Sequence, residues 1–252
     1  MTDKTQVSLD EEVQQLLTKQ GQVMGGAVRP VAPNTSTKTR LSFIRKVYGL
    51  LTFQLTMTFG YSIFAMLTPS VKEFMIQNAY LAVCAIVIAF ITFYLLFCFI
   101  DFQRRVPHNY IAMLIFIICE SYAVAFICIT YTFNSVILVG GMVICLCTGL
   151  TLYAIFTKTD FTLWGGFLAV FGIVFVMAGV ILLFFNVPIL IVIFNAIGII
   201  LFGIYLVYDT QLILGNKSAN FSIDDYMVAS LSLYIDIINI FLDLLSLFGK
   251  RN

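Results

Sequence analysis

Apolar residues are gathered into seven long runs that short polar segments separate. The runs are Val47–Leu67, Tyr80–Ile100, Tyr110–Thr130, Val136–Phe156, Trp164–Leu183, Pro188–Tyr208 and Met227–Phe248. Each is about 20 residues long, the length that an α-helix needs to cross a hydrocarbon core of roughly 30 Å. None alternates between polar and apolar residues as the strands of a membrane barrel do. The pattern therefore predicts an all-α integral membrane protein, a bundle of seven transmembrane helices.

The seventh run differs from the others because polar residues recur along it and just before it. They are Asp225, Ser232, Asp236, Asn239, Asp243 and Ser246. At about 100° per residue they fall within a stripe roughly 80° wide on a helix. A polar stripe on a membrane helix faces the bundle interior or water rather than lipid. We therefore predict a central last helix, although its serines and asparagine could instead serve only to bond neighbouring helices.

The sixth run carries a second polar face. Asn195, Gly198, Tyr205 and Asp209 recur along it at helical spacing. Because the connection to the seventh run is short, the two helices should be antiparallel neighbours, and Asp209 could approach Asp236. Two carboxylates at short range cannot both ionise cheaply, so such a pair should share a proton. Asp209 and Asp236 are the primary candidates for ion passage and proton sensing.

Five further residues are secondary candidates for the same path. They are Glu120, Asn239, Asp243, Ser232 and Tyr205. Charged groups inside a bilayer are expensive, so the acids among them need a reason to be there. For Glu120 the alternative is a single neutral carboxyl that bonds a neighbouring helix. Arg104 and Arg105 are either orientation signals or a latch that bonds an acid near the cytosolic mouth.

Basic residues set the expected orientation. Those on one side are Lys38, Arg40, Arg45, Lys46, Arg104, Arg105, Lys158 and Lys217, whereas the opposite loops carry only Lys72. The excess predicts a cytosolic N-terminus. Seven full crossings would place Lys250 and Arg251 outside, against this rule, so the alternative is a re-entrant last segment. We favour a true seventh helix. With the N-terminus in the cytosol, the glycosylation sequons at Asn34, Asn216 and Asn220 also face the cytosol and should stay unused.

The composition agrees with a membrane domain and excludes several function classes. Apolar residues make up 61% of the 252 residues, charged residues 11%, and the net charge is +1, which provides no field for nucleic acid. Residues 1–39 are polar and predict a disordered cytosolic tail before a transmembrane domain at 40–252. His108 is the only histidine. We find no catalytic nucleophile or metal group, so we expect neither an enzyme nor a bound cofactor.

Local signals mark the ends of the last two helices. Pro188 suits the first turn of the sixth helix and Gly215 its end. Ser222, with Asp225 three residues later, is typical of a capping box at the start of the seventh helix. Gly249 is typical of the end of that helix.

Three segments carry a family resemblance: "FIRKVYGLLTFQL" entering the first span, "GIYLVYDTQLI" ending the sixth and "SLYIDIINIFLDLL" in the seventh. From about Phe43 to Phe248 the chain resembles the Bax-inhibitor motif (TMBIM, or lifeguard) family, most closely its Golgi anti-apoptotic branch. The resemblance implies seven helices around a central last helix, in Golgi or endoplasmic reticulum membranes. It also implies calcium leak, pH sensitivity and suppression of cell death. The family's paired aspartates fall on Asp209 and Asp236, which makes them candidate calcium ligands.

Two departures from the family pattern matter. In bacterial members an arginine after the second helix latches one aspartate, but Gln103 stands at that position, next to Arg104 and Arg105. Asp243 lies outside the family motif. We therefore expect a pH-sensitive calcium leak channel that has lipid, calcium ions, protons and apoptosis-regulating membrane proteins as partners. The alternative is a membrane adaptor that inhibits apoptosis through protein partners without conducting ions.

Overall fold

The computed structural model describes residues 28–30, 37–99, 105–184 and 187–252. This part of the chain contains eight α-helices: α1 (Thr37–Leu67), α2 (Pro69–Gln77), α3 (Tyr80–Cys98), α4 (His108–Cys128), α5 (Phe133–Phe156), α6 (Gly165–Phe184), α7 (Pro188–Leu214) and α8 (Tyr226–Phe248). A short 3-10 helix, Phe161–Trp164, precedes α6, and there are two short strands, β1 (Val28–Pro30) and β2 (Ala219–Phe221).

The predicted seven-helix membrane fold is confirmed. Every helix except the short α2 is long and apolar enough to cross a membrane, and each of these seven corresponds to one predicted run. The largest difference is at α1, which begins at Thr37 rather than at Val47. Its 31 residues would span about 46 Å, more than a hydrocarbon core of about 30 Å. We therefore expect the basic first turns of α1 to extend beyond the apolar layer.

The ends of α7 agree with the sequence signals, whereas the start of α8 does not. Pro188 begins α7, and Gly215 ends it in a left-handed conformation, with φ of 66°. The capping-box prediction at Ser222 is wrong, because α8 starts at Tyr226 with Asp225 at its N-cap. The backbone N–H of Asp225 donates to the carbonyl of Ser222 at 3.0 Å. Residues 222–225 are therefore used in a turn, and the helix starts after it.

The helix α8 is the most enclosed of the seven spans, and α6 is the most exposed. Helix α8 packs against α7, α1 and α5. Helix α4 packs against α3 and α1. Edge-to-face aromatic contacts join α8 to α1 and α4. The ring of Phe241 contacts that of Phe59 in α1, with ring centres 5.0 Å apart. Tyr234 meets Phe116 of α4 at 5.8 Å. Burial of such large rings makes this side of α8 a well-packed core.

Both ends of α8 lie beside the corresponding ends of α4. At the start, the hydroxyls of Tyr226 and Tyr110 are 3.2 Å apart. At the end, the N–H of Thr132, just after α4, donates to the carbonyl of Lys250 at 2.9 Å, and the N–H of Asn252 donates to Thr130 at 2.9 Å. The last helix therefore runs beside α4 along its whole length, as the predicted full seventh helix requires. Which end faces the cytosol stays a prediction.

Two parts of the predicted tail 1–39 fall within the described residues. Residues 28–30 form β1, which pairs antiparallel with β2 so that Val28 lies opposite Phe221. Residues 37–39 belong to the first turn of α1. The rest of the tail, and with it the disorder prediction, lies outside the described residues.

Candidate functional site

The two aspartates that the spacing singled out come together at the interface of α7 and α8. Asp209 is 7% exposed and Asp236 is 5% exposed. Their carboxyl groups lie within hydrogen-bonding reach of each other. A hydrogen bond between two carboxyls requires that one of them keep its proton. The buried Oδ2 atom of Asp236 has no donor among the described residues. The short link between α7 and α8 makes this pairing possible because it holds the helices antiparallel.

Further polar contacts continue along the same interface, away from the α7–α8 turn. The Nδ2 amide of Asn195 donates to the hydroxyl of Ser246 at 2.6 Å. Between this bond and the aspartate pair, Gly198 leaves the space that the Asp243 carboxylate occupies, since a side-chain carbon added at Gly198 would overlap that carboxylate. We call this set the α7–α8 seam: Asn195, Gly198 and Asp209 with Asp236, Asp243 and Ser246.

Tyr205 lies at the edge of the seam rather than in it. Its hydroxyl donates to the carbonyl of Leu168 in α6 at 2.5 Å. Gly172 makes this possible, because a side-chain carbon there would overlap the Tyr205 hydroxyl. Tyr205 is nevertheless within electrostatic range of Asp236 and Asp209. It therefore anchors α6 to α7 close to the aspartate pair.

The remaining secondary candidates occupy different places. Ser232 and Asn239 are half-buried on α8, and the Nδ2 amide of Asn239 donates to the carbonyl of Ile235 in its own helix at 2.8 Å. Glu120 is half-buried on α4, within electrostatic range of Tyr234. Tyr234 points away from the seam, so Glu120 belongs to the other side of α8.

The structure offers a different arginine from the two predicted as a latch. Arg104 lies outside the described residues, and Arg105 is exposed before α4. Arg40 of α1 instead reaches the end of α7: its guanidinium donates to the carbonyl of Leu212 through Nη2 and to that of Phe221 through Nη1, the latter at 2.7 Å. It binds backbone rather than an acid. The sequence showed Arg40 only as one orientation signal among several.

The loops at this end of the bundle are tied together around Asp160. One of its carboxylate oxygens accepts from the N–H and hydroxyl of Thr162, and the other accepts from the N–H and hydroxyl of Ser218. Burial alone would raise the pKa of Asp160, but these hydrogen bonds outweigh it and lower the pKa to about 2. Gln211 adds a second tie, since its side chain accepts from the N–H of Phe161 at 2.8 Å and donates to the carbonyl of Thr159 at 3.0 Å.

The available side chains limit what the site can hold. Within the described ranges no three His, Cys, Asp or Glu side chains cluster as a metal centre. The aspartate pair supplies two carboxylates, which are hard oxygen ligands of the type that calcium prefers, but calcium takes about six to eight oxygens. A calcium ion at the pair would therefore need water or backbone oxygens as well. That arrangement suits a transient stop better than a permanent site.

The family model described as inhibitor of apoptosis-promoting Bax1 matches residues 40–252. The region that it matches contains both members of the aspartate pair and the whole seam.

Three curated proteins are similar to the chain over most of its length. Protein lifeguard 3 of Homo sapiens is 34% identical over 220 residues, which are 85% of this chain and 70% of that protein. Protein lifeguard 3 of Mus musculus is 32% identical over 220 residues, 85% of this chain and 71% of that protein. Protein lifeguard 4 of Mus musculus is 30% identical over 219 residues, 87% of this chain and 89% of that protein.

Proposed function

The chain belongs to the family of Bax1 inhibitors and lifeguard proteins, and we propose that it is a pH-sensitive path for calcium leak across an intracellular membrane. In this proposal the path follows the α7–α8 seam, and Asp209 and Asp236 form its control point. The Golgi or the endoplasmic reticulum is the proposed location, with the N-terminus in the cytosol. Lowering stored calcium is the proposed means by which the protein suppresses cell death.

The contact between Asp209 and Asp236 is the observation that carries this proposal. Asp209 is 7% exposed and Asp236 is 5% exposed, and both lie in membrane-crossing helices. Burying acids in such helices costs free energy, so we expect them to serve a function. Simple bonding between helices needs no second acid, because an amide or a hydroxyl would serve, as Asn195 and Ser246 show. A pair of facing carboxyls binds cations or protons, and exchanging the two is chemistry that a pH-sensitive leak requires.

A shared proton gives the pair two states. With one proton present, a hydrogen bond holds α7 against α8. When the proton leaves, two anions about 4 Å apart repel by about 4 kcal/mol at an effective dielectric constant of about 20. That energy is enough to shift a packing equilibrium between closed and open forms. Calcium arriving at the deprotonated pair would neutralise it, so calcium and the proton compete for the same oxygens.

Asp243 extends the path beyond the control point. It is seven residues from Asp236, or about 10 Å along the helix. Its buried Oδ2 atom has no hydrogen-bond partner among the described residues, and Gly198 gives its carboxylate room. We propose it as a second stop for the ion between the control point and the end of the bundle where α8 ends.

Calcium efflux from liposomes that contain the purified protein tests the proposal directly. Wild-type efflux should depend on pH near neutrality. Asp209→Asn and Asp236→Asn each remove the shared proton, so each should flatten that dependence. The double variant should add little to either single change, because the two residues act as a unit.

The control is Glu73→Gln on α2, which removes an exposed acid outside the seam and should leave the pH profile unchanged. If both single aspartate variants keep the wild-type profile, the acids are structural and the proposed control point is wrong. If the purified wild-type protein conducts no calcium at any pH, the adaptor alternative takes precedence. Protection against cell death would then have to come from contacts with partner proteins.

A further inference from the structure

A second buried polar cluster lies on the opposite side of α8 from the aspartate pair. It consists of Gln54 and Thr58 of α1, Ser121 of α4 and Tyr234 of α8, and none of the four is more than 3% exposed. Tyr234 and Asp236 are two residues apart, so their side chains point about 160° away from each other. The last helix therefore separates two polar centres that lie at nearly the same depth.

Two hydroxyl oxygens of the cluster can still accept further hydrogen bonds. The Thr58 hydroxyl donates its one hydrogen to the backbone carbonyl of Gln54 at 3.0 Å. In its contacts with the hydroxyls of Tyr234, at 2.7 Å, and Ser121, at 3.0 Å, Thr58 must then be the acceptor. Tyr234 and Ser121 thus give their hydrogens to Thr58. Each keeps oxygen lone pairs that can accept from a further donor.

The side-chain amide of Gln54, by contrast, lacks hydrogen-bond partners for both its N–H groups and its oxygen within the described part of the chain. Its side chain is completely buried, and neither its Nε2 nor its Oε1 atom has a hydrogen-bond partner among the described residues. An amide that is taken out of water without partners is costly, and a bilayer provides none. Gln54 and Thr58 are four residues apart, so their side chains are neighbours on one face of α1. The two N–H donors and two carbonyl lone pairs of Gln54 therefore lie on the same face as hydroxyl oxygens that still accept.

We propose that these four residues form a binding site for water between α1, α4 and α8. Water both accepts from the Gln54 N–H groups and donates to the oxygens of Ser121, Tyr234 and Gln54, so it satisfies both deficits at once. A cation satisfies only the oxygens and would leave the Gln54 donors unpaired.

This site is independent of calcium transport and of the α7–α8 seam. Its consequence is that α8 has exchangeable, water-mediated contacts on the side of α1 and α4, in addition to the carboxyl contact on the side of α7. The sequence shows one part of this polar cluster: Gln54, Thr58 and Ser62 recur at intervals of four residues along α1.

Nuclear magnetic resonance of the full chain in lipid nanodiscs tests the proposal. With 15N-labelled glutamine side chains, magnetisation transfer from water to each amide group is measured. Gln211 is the matched internal control, because it is also 0% exposed but its amide is bonded to Phe161 and Thr159. Transfer to the Gln54 amide should be several-fold faster than transfer to that of Gln211. Equal rates at the two amides would overturn the proposal.

The thermal stability of Gln54→Leu provides a second readout. If the site is dry, leucine relieves an unpaired amide, and the melting temperature rises. If the site holds water, leucine removes partners of that water and leaves the oxygens of Ser121 and Tyr234 unmet, so the melting temperature falls. A melting temperature that equals or exceeds the wild-type value therefore contradicts the proposal. If Gln54→Leu does not fold, the magnetisation-transfer experiment on the wild-type protein still tests the proposal. The Gln54 signal is then identified by its change of chemical shift in Ser121→Ala.

Discussion

Replacing Arg40 with methionine tests how strongly the start of α1 is tied to the end of α7. The guanidinium donates to the carbonyls of Leu212 and Phe221 and lies 4.8 Å from the centre of the Phe43 ring. Leu212 is in the last turn of α7, where carbonyls have no partner within the helix and a positive charge is favourable. Methionine keeps a long apolar side chain and removes the charge and both donors.

The expected effect follows from these contacts. A hydrogen bond to a charged group contributes about 1.5–3 kcal/mol, and a guanidinium over an aromatic ring about 0.5–1 kcal/mol. Arg40 is only half-buried, so the freed carbonyls can partly turn to water. We therefore expect Arg40→Met to lower the free energy of unfolding by about 2–3 kcal/mol, less than the plain sum. Arg40→Lys keeps the charge and can make one bond, so we expect about half that loss.

Reversible unfolding in lipid–detergent micelles measures the loss, and amide hydrogen exchange locates it. Exchange should accelerate at residues 212–215 and 219–221, the segments that Arg40 joins. Arg45→Met is the control, because Arg45 is the same residue type on the same helix but is exposed. Its effect should stay within about 0.5 kcal/mol. Equal effects of the two substitutions would show that the bonds of Arg40 do not stabilise the bundle.

Three further predictions concern orientation, access and acid stability. In a microsomal expression assay the three sequons should remain unglycosylated, and a glycosidase-sensitive shift at any of them would reverse the assigned orientation. In a background cleared of the native thiols, cysteines at Ser232 and Asn239 should react with water-soluble thiol reagents faster than cysteines at Leu233 and Ile240; equal rates would remove the case for an aqueous path. Because the pKa of Asp160 is lowered from 3.8 to about 2 in the folded protein, its contribution to stability is present at neutral pH and lost as pH falls through that interval. Unfolding measured across this range should therefore show a smaller acid-induced loss in Asp160→Asn than in the wild type, and identical slopes would refute that role.

The membrane helices and the aspartate pair could be predicted because each depends on a pattern within the chain. A run of apolar residues about 20 long has few alternatives to a membrane helix, and Pro188 and Gly215 act through their own backbone restrictions. The contact between Asp209 and Asp236 needed one more assumption, that a short connection makes neighbours of two helices. Helical periodicity then placed both residues on facing sides.

Contacts between elements that are distant in the chain could not be predicted in this way. Periodicity placed Tyr205 on the face with Asp209, but its long side chain reaches Leu168 because Gly172 lets α6 come close. Arg40 has the same pattern as any basic residue before a membrane span, and only the fold shows that it lies beside the end of α7. The late start of α8 depends on the turn at Ser222, which follows the pairing of two short strands that no hydrophobic pattern indicates.

The contacts on the two sides of α8 determine which interface can open. Towards α1 and α4 it is held by ring contacts through Tyr234 and Phe241 and by the Tyr234 hydroxyl, none of which changes its charge near neutral pH. Towards α7, its most extensive packing partner, it is held by apolar packing, by the bond between Asn195 and Ser246 and by the carboxyl pair, whose contact in the proposed function depends on a proton. In the proposed function, deprotonation of this pair therefore weakens the α7 side at that point. We expect α7 and α8 to separate locally at the aspartate pair, so that the opening lies along the seam that contains Asp243.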